Sequence, residues 1–386
     1  MTLSANWNYP TQMRVGAGRV KEIAKLCNSM SIQAPLIVTD PGIAALPMLA
    51  EIKQYLSDAG CDASVFSEVK ANPNGENVMA GVACYHQQKN DGVIALGGGS
   101  ALDAAKAIAL MVGQKGVLWD YEDVGSNWKA VNSDSMAPVI AIPTTAGTGS
   151  EVGRASVITD SQKKLKKIIF HPNMLPAQVI LDPLLTCGLP AHLTAATGMD
   201  ALSHNLEALC SPFYHPMAEG IAMQGIALIK QYLPIAVADG SNLEARTQML
   251  VASTMGATAF QKGLGGMHAI AHSLGALYDA HHGLLNAILM PYVLKTNQNA
   301  IEDKIQSLAS YLQLEDGNFN GFLNWILKLR QDLKIPHSLA EINIDQKDAL
   351  KIGQMAIADA TAAGNPIQFS AAQYQKIFEK AVDGEV

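Results

Sequence analysis

Apolar and polar positions follow two different periods along this chain. In the first half, short unbroken apolar runs (Pro35–Thr39, Ala63–Phe66, Val93–Leu96 and Val139–Ile142) read as buried strands. Between them, Ile43–Asp58, ending at Gly60, and Ser100–Met111 carry apolar residues at helical spacing. Strands separated by helices of about 10–15 residues predict βαβ units and a parallel sheet covered on both faces. From about Pro190 the strand pattern stops. Leu193–Cys210, Ala218–Leu233, Leu243–Phe260, His268–Tyr278, Ile301–Leu312, Phe319–Leu333 and Ser370–Val382 all read as helices, punctuated by Ser211-Pro212 and Pro336. The pattern therefore predicts an α/β domain over residues 1–188 and an all-helical domain over 189–386, with no internal repeat.

Composition narrows the class. The 386 residues are 49% hydrophobic and 16% charged, which suits a globular chain with a sizeable core. A net charge of −7 argues against nucleic acid or anionic lipid as the main partner, since both need a basic face. No apolar run approaches the ~18–20 residues of a membrane helix. The best, Leu284–Leu294, is interrupted by Asn286 and Pro291. Met1–Tyr9 shows neither a positive n-region nor an apolar h-region, so no secretory signal is expected. Cys27, Cys61, Cys84, Cys187 and Cys210 form no CxxC pair, and the expected setting is reduced and cytoplasmic. The run Lys163–Lys167 reads first as a solvated hairpin turn.

Two loops carry candidate nucleotide chemistry. Gly97-Gly98-Gly99-Ser100 follows a strand and opens a helix. Glycines let backbone approach a ligand closely, and a helix N-terminus offers unpaired N–H groups to a pyrophosphate. Ser100 and Asp103 have the spacing of a capping box. The strict GxGxxG fingerprint is absent. Behind the strand Val139–Ile142, the loop Pro143–Ser150 gathers hydroxyls and small residues suited to phosphate or ribose. Asp40, at the end of a strand, is placed either to accept from a ribose hydroxyl or to cap a helix.

The second half is rich in histidine: His204, His215, His268, His272, His281, His282 and His337. Asp200 and His204 stand at i and i+4 on a helix otherwise lined by Ala, Leu and Met, and His268 and His272 repeat the spacing. Imidazoles with one carboxylate on apolar helices suit Fe(II) or Zn(II), not the all-oxygen shells of calcium or magnesium. Spacing alone does not choose among His268, His272, His281 and His282.

Taken in order, these motifs identify a resemblance. Gly97-Gly98-Gly99-Ser100 with Asp103 and Lys106, the loop Pro143–Val152, Gly198–His204, and Gly263-Leu264-Gly265 through His268, His272 and His282-Gly283 resemble the iron-containing (group III) alcohol dehydrogenases over nearly the whole chain. The resemblance implies a Rossmann-like nucleotide domain followed by a helical metal domain. It also implies a reaction: reversible oxidation of a small-molecule alcohol to an aldehyde or ketone, with NAD as hydride acceptor and a divalent metal as Lewis acid. The metal would be Fe(II), with Zn(II) the alternative. By the same resemblance Asp200, His204, His268 and His282 are the metal ligands, and His272 is the catalytic group on the substrate side. The NAD contacts are Asp40, Asn72, Gly97, Gly98, Gly99, Ser100, Thr144, Thr145, Thr148 and Lys166, which takes Lys166 out of the solvated run. A homodimer is implied as well.

Two positions depart from the family pattern. Ala155 stands where a polar residue usually follows the TTAGTGSEV loop, so one cofactor contact is missing. Ala259-Phe260-Gln261-Lys262 replaces a Phe-x-Asn-Ala stretch near the family's substrate pocket. There Lys262 is either a plain surface residue or a charge that attracts an acidic substrate. Two rival functions are weighed against the dehydrogenase. One is a dehydroquinate-synthase-like lyase, which would need a cluster of Lys and Arg at the site. The other is a metal- and nucleotide-binding protein without turnover.

Overall fold

The apolar runs become strands, and a computed structural model describes them within residues 5–7 and 11–386. Of the stretch Met1–Tyr9, read above for a signal, all but residues 5–7 lies outside the described residues. Strands β1 (Ala5–Trp7), β2 (Gln12–Val15), β3 (Pro35–Val38), β4 (Ser64–Phe66), β5 (Gly92–Gly97) and β6 (Val139–Pro143) precede a hairpin of β7 (Ala155–Asp160) and β8 (Leu165–Phe170), and β9 (Gln178–Leu181) follows. Seven of them form one sheet in the order β1-β2-β9-β6-β5-β3-β4, and the hairpin stands apart. Only β1 runs antiparallel to its neighbour in that sheet. Every residue of β3, β5 and β6 is buried, as a parallel sheet covered on both faces requires.

The helices of this region are α1 (Ile23–Ser29), α2 (Pro41–Ala44), α3 (Pro47–Asp58), α4 (Gly75–Gln87) and α5 (Gly99–Met111). The expected single helix over 43–58 is instead split into α2 and α3. Pro47 holds the preceding Leu46 in extended backbone, which ends one helix and starts the next. The lysine run also divides. Lys163 and Lys164 lie in the hairpin turn, but Lys166 and Lys167 belong to β8, where Lys167 is bonded to Glu122 at 2.7 Å. The solvated-turn reading holds for the first two lysines only.

Eight helices follow: α6 (Ala191–Cys210), α7 (Pro216–Ala238), α8 (Leu243–Ala259), α9 (Gly266–Tyr278), α10 (His282–Tyr311), α11 (Phe319–Asp332), α12 (Ala349–Ala358) and α13 (Ala371–Asp383). Helix α6 is buried almost end to end and packs against α7, α8 and α10. Its neighbours approach closely at glycines: a Cβ on Gly225 would fall 2.1 Å from Asn205 Oδ1, and one on Gly256 2.6 Å from Asn205 Nδ2. Two expectations are corrected here. Helix α10 spans 30 residues and continues through Asn286 and Pro291, so its first half was missed. The longest apolar helix is α7, whose 23 residues and hydropathy of 1.4 would suffice for a membrane by length and composition. It carries Pro234 inside and Glu219 ion-paired to Lys262, and it packs on α6 and α8 as a core helix.

The described chain clusters into two compact units. One runs to Thr145 and resumes over Gly149–Gly188; the other comprises Ala146–Thr148 and Leu189–Val386.

Candidate metal centre and nucleotide cradle

Three helices of the second unit bring four donors together. Asp200 and His204 lie one turn apart on α6, His268 lies in the first turn of α9, and His282 opens α10. One ligand atom from each of these four residues lies within 4.8 Å of the others. Donors ~2.1 Å from one ion are at most ~4.2 Å apart, so a small closure completes a coordination shell. His282 reaches Asp200 because α10 starts against α6 at a glycine: a Cβ on Gly283 would lie 2.6 Å from the Ala196 carbonyl oxygen. His282 Nε2 is 3.7 Å from Asp200 Oδ1, and the rings of His204 and His268 stack at 4.7 Å.

The surroundings leave ring nitrogens aimed at a common point. His204 Nδ1 is 3.2 Å from the Gly147 carbonyl oxygen. That acceptor calls for an N–H on Nδ1, which leaves the Nε2 lone pair available. Burial pushes the His204 imidazole down to about 4, against the pull of Asp200, so the ring is neutral near pH 7. Burial also opposes charge on His268, but Glu207 outweighs it and raises that pKa above its ordinary value. The Nδ2 of Asn286 stands 2.9 Å from Asp200 Oδ1 and 3.2 Å from both His268 Nε2 and His282 Nε2. Two N–H bonds cannot satisfy three acceptors. The Oδ1 of the same amide is buried without a hydrogen-bond partner. Lone pairs converging on one point, three of them nitrogen and one carboxylate, fit a borderline divalent cation.

Two other histidines sort differently. His272 stacks on His282 at 5.3 Å and places Nδ1 3.0 Å from Asp359 Oδ2. His281 caps α10, its Nδ1 accepting from the Leu284 N–H. Of the four histidines that spacing left open, His268 and His282 join Asp200 and His204.

The first unit builds its site from strand ends. The chain leaves β3 for β4 on one side and returns to β5 on the other, so the ends of β3 and β5 flank a topological switch point, where open parallel sheets bind ligands. Asp40 stands two residues past the first strand, while Gly97 ends the second and Gly98 and Gly99 open α5. Gly97 has φ +145°, and a Cβ there would meet Ala101 Cβ at 2.7 Å and Asp40 Oδ2 at 3.4 Å. Helix α5 starts without a side-chain cap, so its first N–H groups face this space, a fit for a pyrophosphate. Thr144 and Thr145 follow β6, with the Thr144 N–H on the Gly97 carbonyl at 2.9 Å. Lys166 Nζ donates to Asn72 Oδ1 at 2.8 Å. Thr148 falls in the short segment that clusters with the helical unit.

Two expectations change, and one of two alternatives is met. Ser100 and Asp103 form no capping box: the Ser100 hydroxyl donates to the Ala71 carbonyl, and Asp103 accepts from Ser150 and from the Val157 N–H. Asp40 does cap α2, with Oδ1 accepting from the Ile43 N–H at 3.0 Å. Lys262 is not a surface residue. It is buried, and its Nζ donates to the Leu209 carbonyl and to Glu219. Glu207, Asn286 and Asp359 escaped the sequence reading, although Glu207 follows His204 by three residues and Asn286 follows His282 by four.

Comparison with known proteins fixes the family. Residues 10–183 match the model of "Iron-containing alcohol dehydrogenase", and 194–382 that of "Fe-containing alcohol dehydrogenase family, C-terminal". This chain belongs to the iron-containing alcohol dehydrogenase family. Members similar to it include alcohol dehydrogenase 4 of Saccharomyces cerevisiae (strain YJM789), 36% identical across 95% of this chain and 96% of that protein. The 1,3-propanediol dehydrogenase of Klebsiella pneumoniae is 36% identical over the same two shares, 95% and 96%. A crystal structure of 1,3-propanediol oxidoreductase superposes with a TM-score of 0.91, at 34% identity, covering 99% of this chain and all of that one. As an iron-containing alcohol dehydrogenase the protein is a metal-dependent NAD(H) oxidoreductase that interconverts an alcohol and its carbonyl compound by hydride transfer. The lyase rival required basic residues at the site, and its one candidate, Lys262, is spent on the end of α6.

Proposed function

We propose that Asp200, His204, His268 and His282 hold the metal of this dehydrogenase. The observation that carries the reading is the convergence of their four donor atoms within 4.8 Å. A divalent ion supplies Lewis acidity toward the oxygen of the substrate, and NAD accepts or returns the hydride. We take the ion to be Fe(II). Zn(II) binds nitrogen and oxygen donors more tightly, so protein purified in air will carry mixed metal.

His272 is the proton-handling group. Its Nδ1 is engaged by Asp359 at 3.0 Å, which leaves Nε2 as the nitrogen that exchanges a proton with substrate or solvent. NAD is held by backbone at Gly97, Gly98, Gly99 and Ser100, by the hydroxyls of Thr144, Thr145 and Thr148, and by the Asn72–Lys166 pair. Asp40 keeps Oδ2 for a ribose hydroxyl while Oδ1 caps α2. Residues 1–188 form the nucleotide domain and 189–386 the metal domain. The substrate class is a small primary alcohol or diol and its aldehyde, as the names of the relatives support. A cytoplasmic setting without membrane or nucleic-acid partners is supported by the net charge of −7 and the free cysteines Cys27, Cys61, Cys84, Cys187 and Cys210, and the homodimer rests on the family resemblance.

The test is anaerobic reconstitution with Fe(II) or Zn(II), followed by a panel of short alcohols with NAD and short aldehydes with NADH, read by NADH absorbance. Turnover of small primary alcohols, highest with Fe(II), is expected. Equal activity with zinc alone overturns the choice of iron, and turnover of phosphorylated or strongly acidic substrates alone overturns the substrate class.

A further inference from the structure

Helix α6 carries a second carboxylate on the stripe that holds its two candidate ligands. Asp200, His204 and Glu207 stand at i, i+4 and i+7, all buried, so one face of one helix presents all three. The Glu207 carboxylate receives three groups from the start of α9. Oε2 lies 2.6 Å from the Gly265 nitrogen and 2.7 Å from His268 Nδ1, and Oε1 lies 2.7 Å from the Met267 nitrogen. Gly265, the N-cap of α9, has no side chain to cap the helix. Its place is tight: a Cβ there would fall 3.1 Å from Glu207 Oε1 and 3.0 Å from Asn365 Oδ1. Glu207 takes the N–H groups of Gly265 and Met267, and Asn365 takes that of Gly266 between them at 3.0 Å.

The donors decide the tautomer of the ring. Backbone N–H groups only donate, so Glu207 acts as an acceptor on both oxygens, and an ionised carboxylate has no proton to give. His268 Nδ1 must then carry the hydrogen, and the lone pair of the neutral ring sits on Nε2, the nitrogen that faces Asp200 and His282. We propose that Glu207 is the positioning residue of the metal centre, holding His268 as an Nε2 donor with the same carboxylate that caps the helix on which His268 rides. The inference rests on the metal reading above. It assigns a role to a residue that touches neither substrate nor metal.

The test compares Zn(II) and Co(II) affinity, by competition with a chelator, in wild type, Glu207→Gln and Asn365→Ala. Glutamine keeps the shape but puts an NH2 against either the Met267 N–H or the Gly265–His268 pair. In the first case the start of α9, on which His268 rides, is pushed away from the side chain; in the second the ring is driven to carry its proton on Nε2, where it cannot ligate. Affinity should fall about 10- to 100-fold in Glu207→Gln, as for other residues that orient a metal-bound imidazole, and the visible bands of the Co(II) form should shift. Asn365→Ala removes the neighbouring cap without touching His268, so its affinity should stay within about twofold of wild type. Wild-type affinity in Glu207→Gln overturns the proposal, and so does an equal loss in Asn365→Ala, which would make capping the whole role. Should Glu207→Gln not fold, wild-type protein with 15N-labelled histidine reads the tautomer directly. A proton on His268 Nδ1, with and without Zn(II), is expected; a neutral ring protonated on Nε2 alone in the metal-free protein refutes the proposal. If the wild type binds neither metal, the metal reading fails, while the tautomer still judges Glu207.

Discussion

The two candidate sites are built from different materials. The nucleotide cradle of the first unit is mostly backbone: a glycine at φ +145°, an uncapped helix start and two strand ends at a switch point. The metal cluster of the second unit is all side chain, and three of its four donors have a support of their own. His204 has the Gly147 carbonyl, His268 has Glu207, and Asp200 has Asn286. A backbone site follows from topology and tolerates substitution wherever a Cβ finds room. A side-chain site needs every rotamer and tautomer fixed, and it fails atom by atom.

The sharpest break of this comparison is removal of a donor. His268→Ala or His282→Ala deletes one of the four proposed ligands from a catalytic site that must also keep a position open, so metal content should fall to near background and turnover with it. Elemental analysis of the anaerobically loaded variants checks this. Full occupancy in both would mean that these imidazoles are not ligands. His272→Ala should behave differently, keeping its metal while kcat drops by about 10²- to 10⁴-fold, the usual size of a general acid–base contribution. Metal loss there would show that His272 belongs to the shell.

How far the sequence reveals each site follows from the same contrast. The cradle was legible because a strand, three glycines and a helix are contiguous in the chain. Its capping box was misread because Ser100 and Asp103 find partners far away in sequence, at Ala71, Ser150 and Val157. The i, i+4 pair on α6 was legible for the same local reason. The choice of His268 and His282 over His272 and His281 needed the family resemblance, because it depends on where three helices cross. Helix α10 was cut short in the reading because Pro291 lies inside it, yet the helix continues through the proline, packed against α6, α9 and α11. Asp359 supports His272 across 87 residues of chain, and no local pattern signals that.

Cofactor choice probes the one carboxylate proposed for the cradle. A carboxylate at Asp40 suits the two hydroxyls of an NAD ribose and repels a 2′-phosphate. Two charges ~4 Å apart repel by ~1 kcal/mol in water and ~4 kcal/mol at an effective dielectric near 20. Each ~1.4 kcal/mol is tenfold in affinity, which gives a preference for NAD over NADP of roughly ten- to a thousandfold in kcat/KM. Asp40→Gly should narrow that ratio mainly by admitting NADP, since glycine in place of an N-cap costs α2 only a few tenths of a kcal/mol. Equal use of both cofactors by the wild type would remove Asp40 from the ribose.

The smallest effect on activity is expected at Lys262, and it separates buried polar groups that build the helical unit from those that do its chemistry. Lys262 Nζ donates to the Leu209 carbonyl at 3.0 Å and to Glu219 Oε1 at 2.6 Å, closing the C-terminal end of α6. Burial lowers the pKa of Lys262, with Glu219 pulling the other way. Lys304 reaches the same carbonyl at 3.0 Å and the same carboxylate at 3.2 Å, so neither acceptor is orphaned when Lys262 is removed. Lys262→Met should therefore cost about 1–3 kcal/mol of stability, the range for losing a buried charged hydrogen bond, rather than the larger penalty of stranding a buried charge. Denaturant unfolding reads that loss. In the same protein kcat/KM for neutral and acidic aldehydes should stay within about twofold of wild type, because the lysine touches the end of a helix and not the donor cluster. A rise in KM confined to acidic substrates, with stability unchanged, would put Lys262 back at the substrate and make the helical unit's polar core part of its specificity.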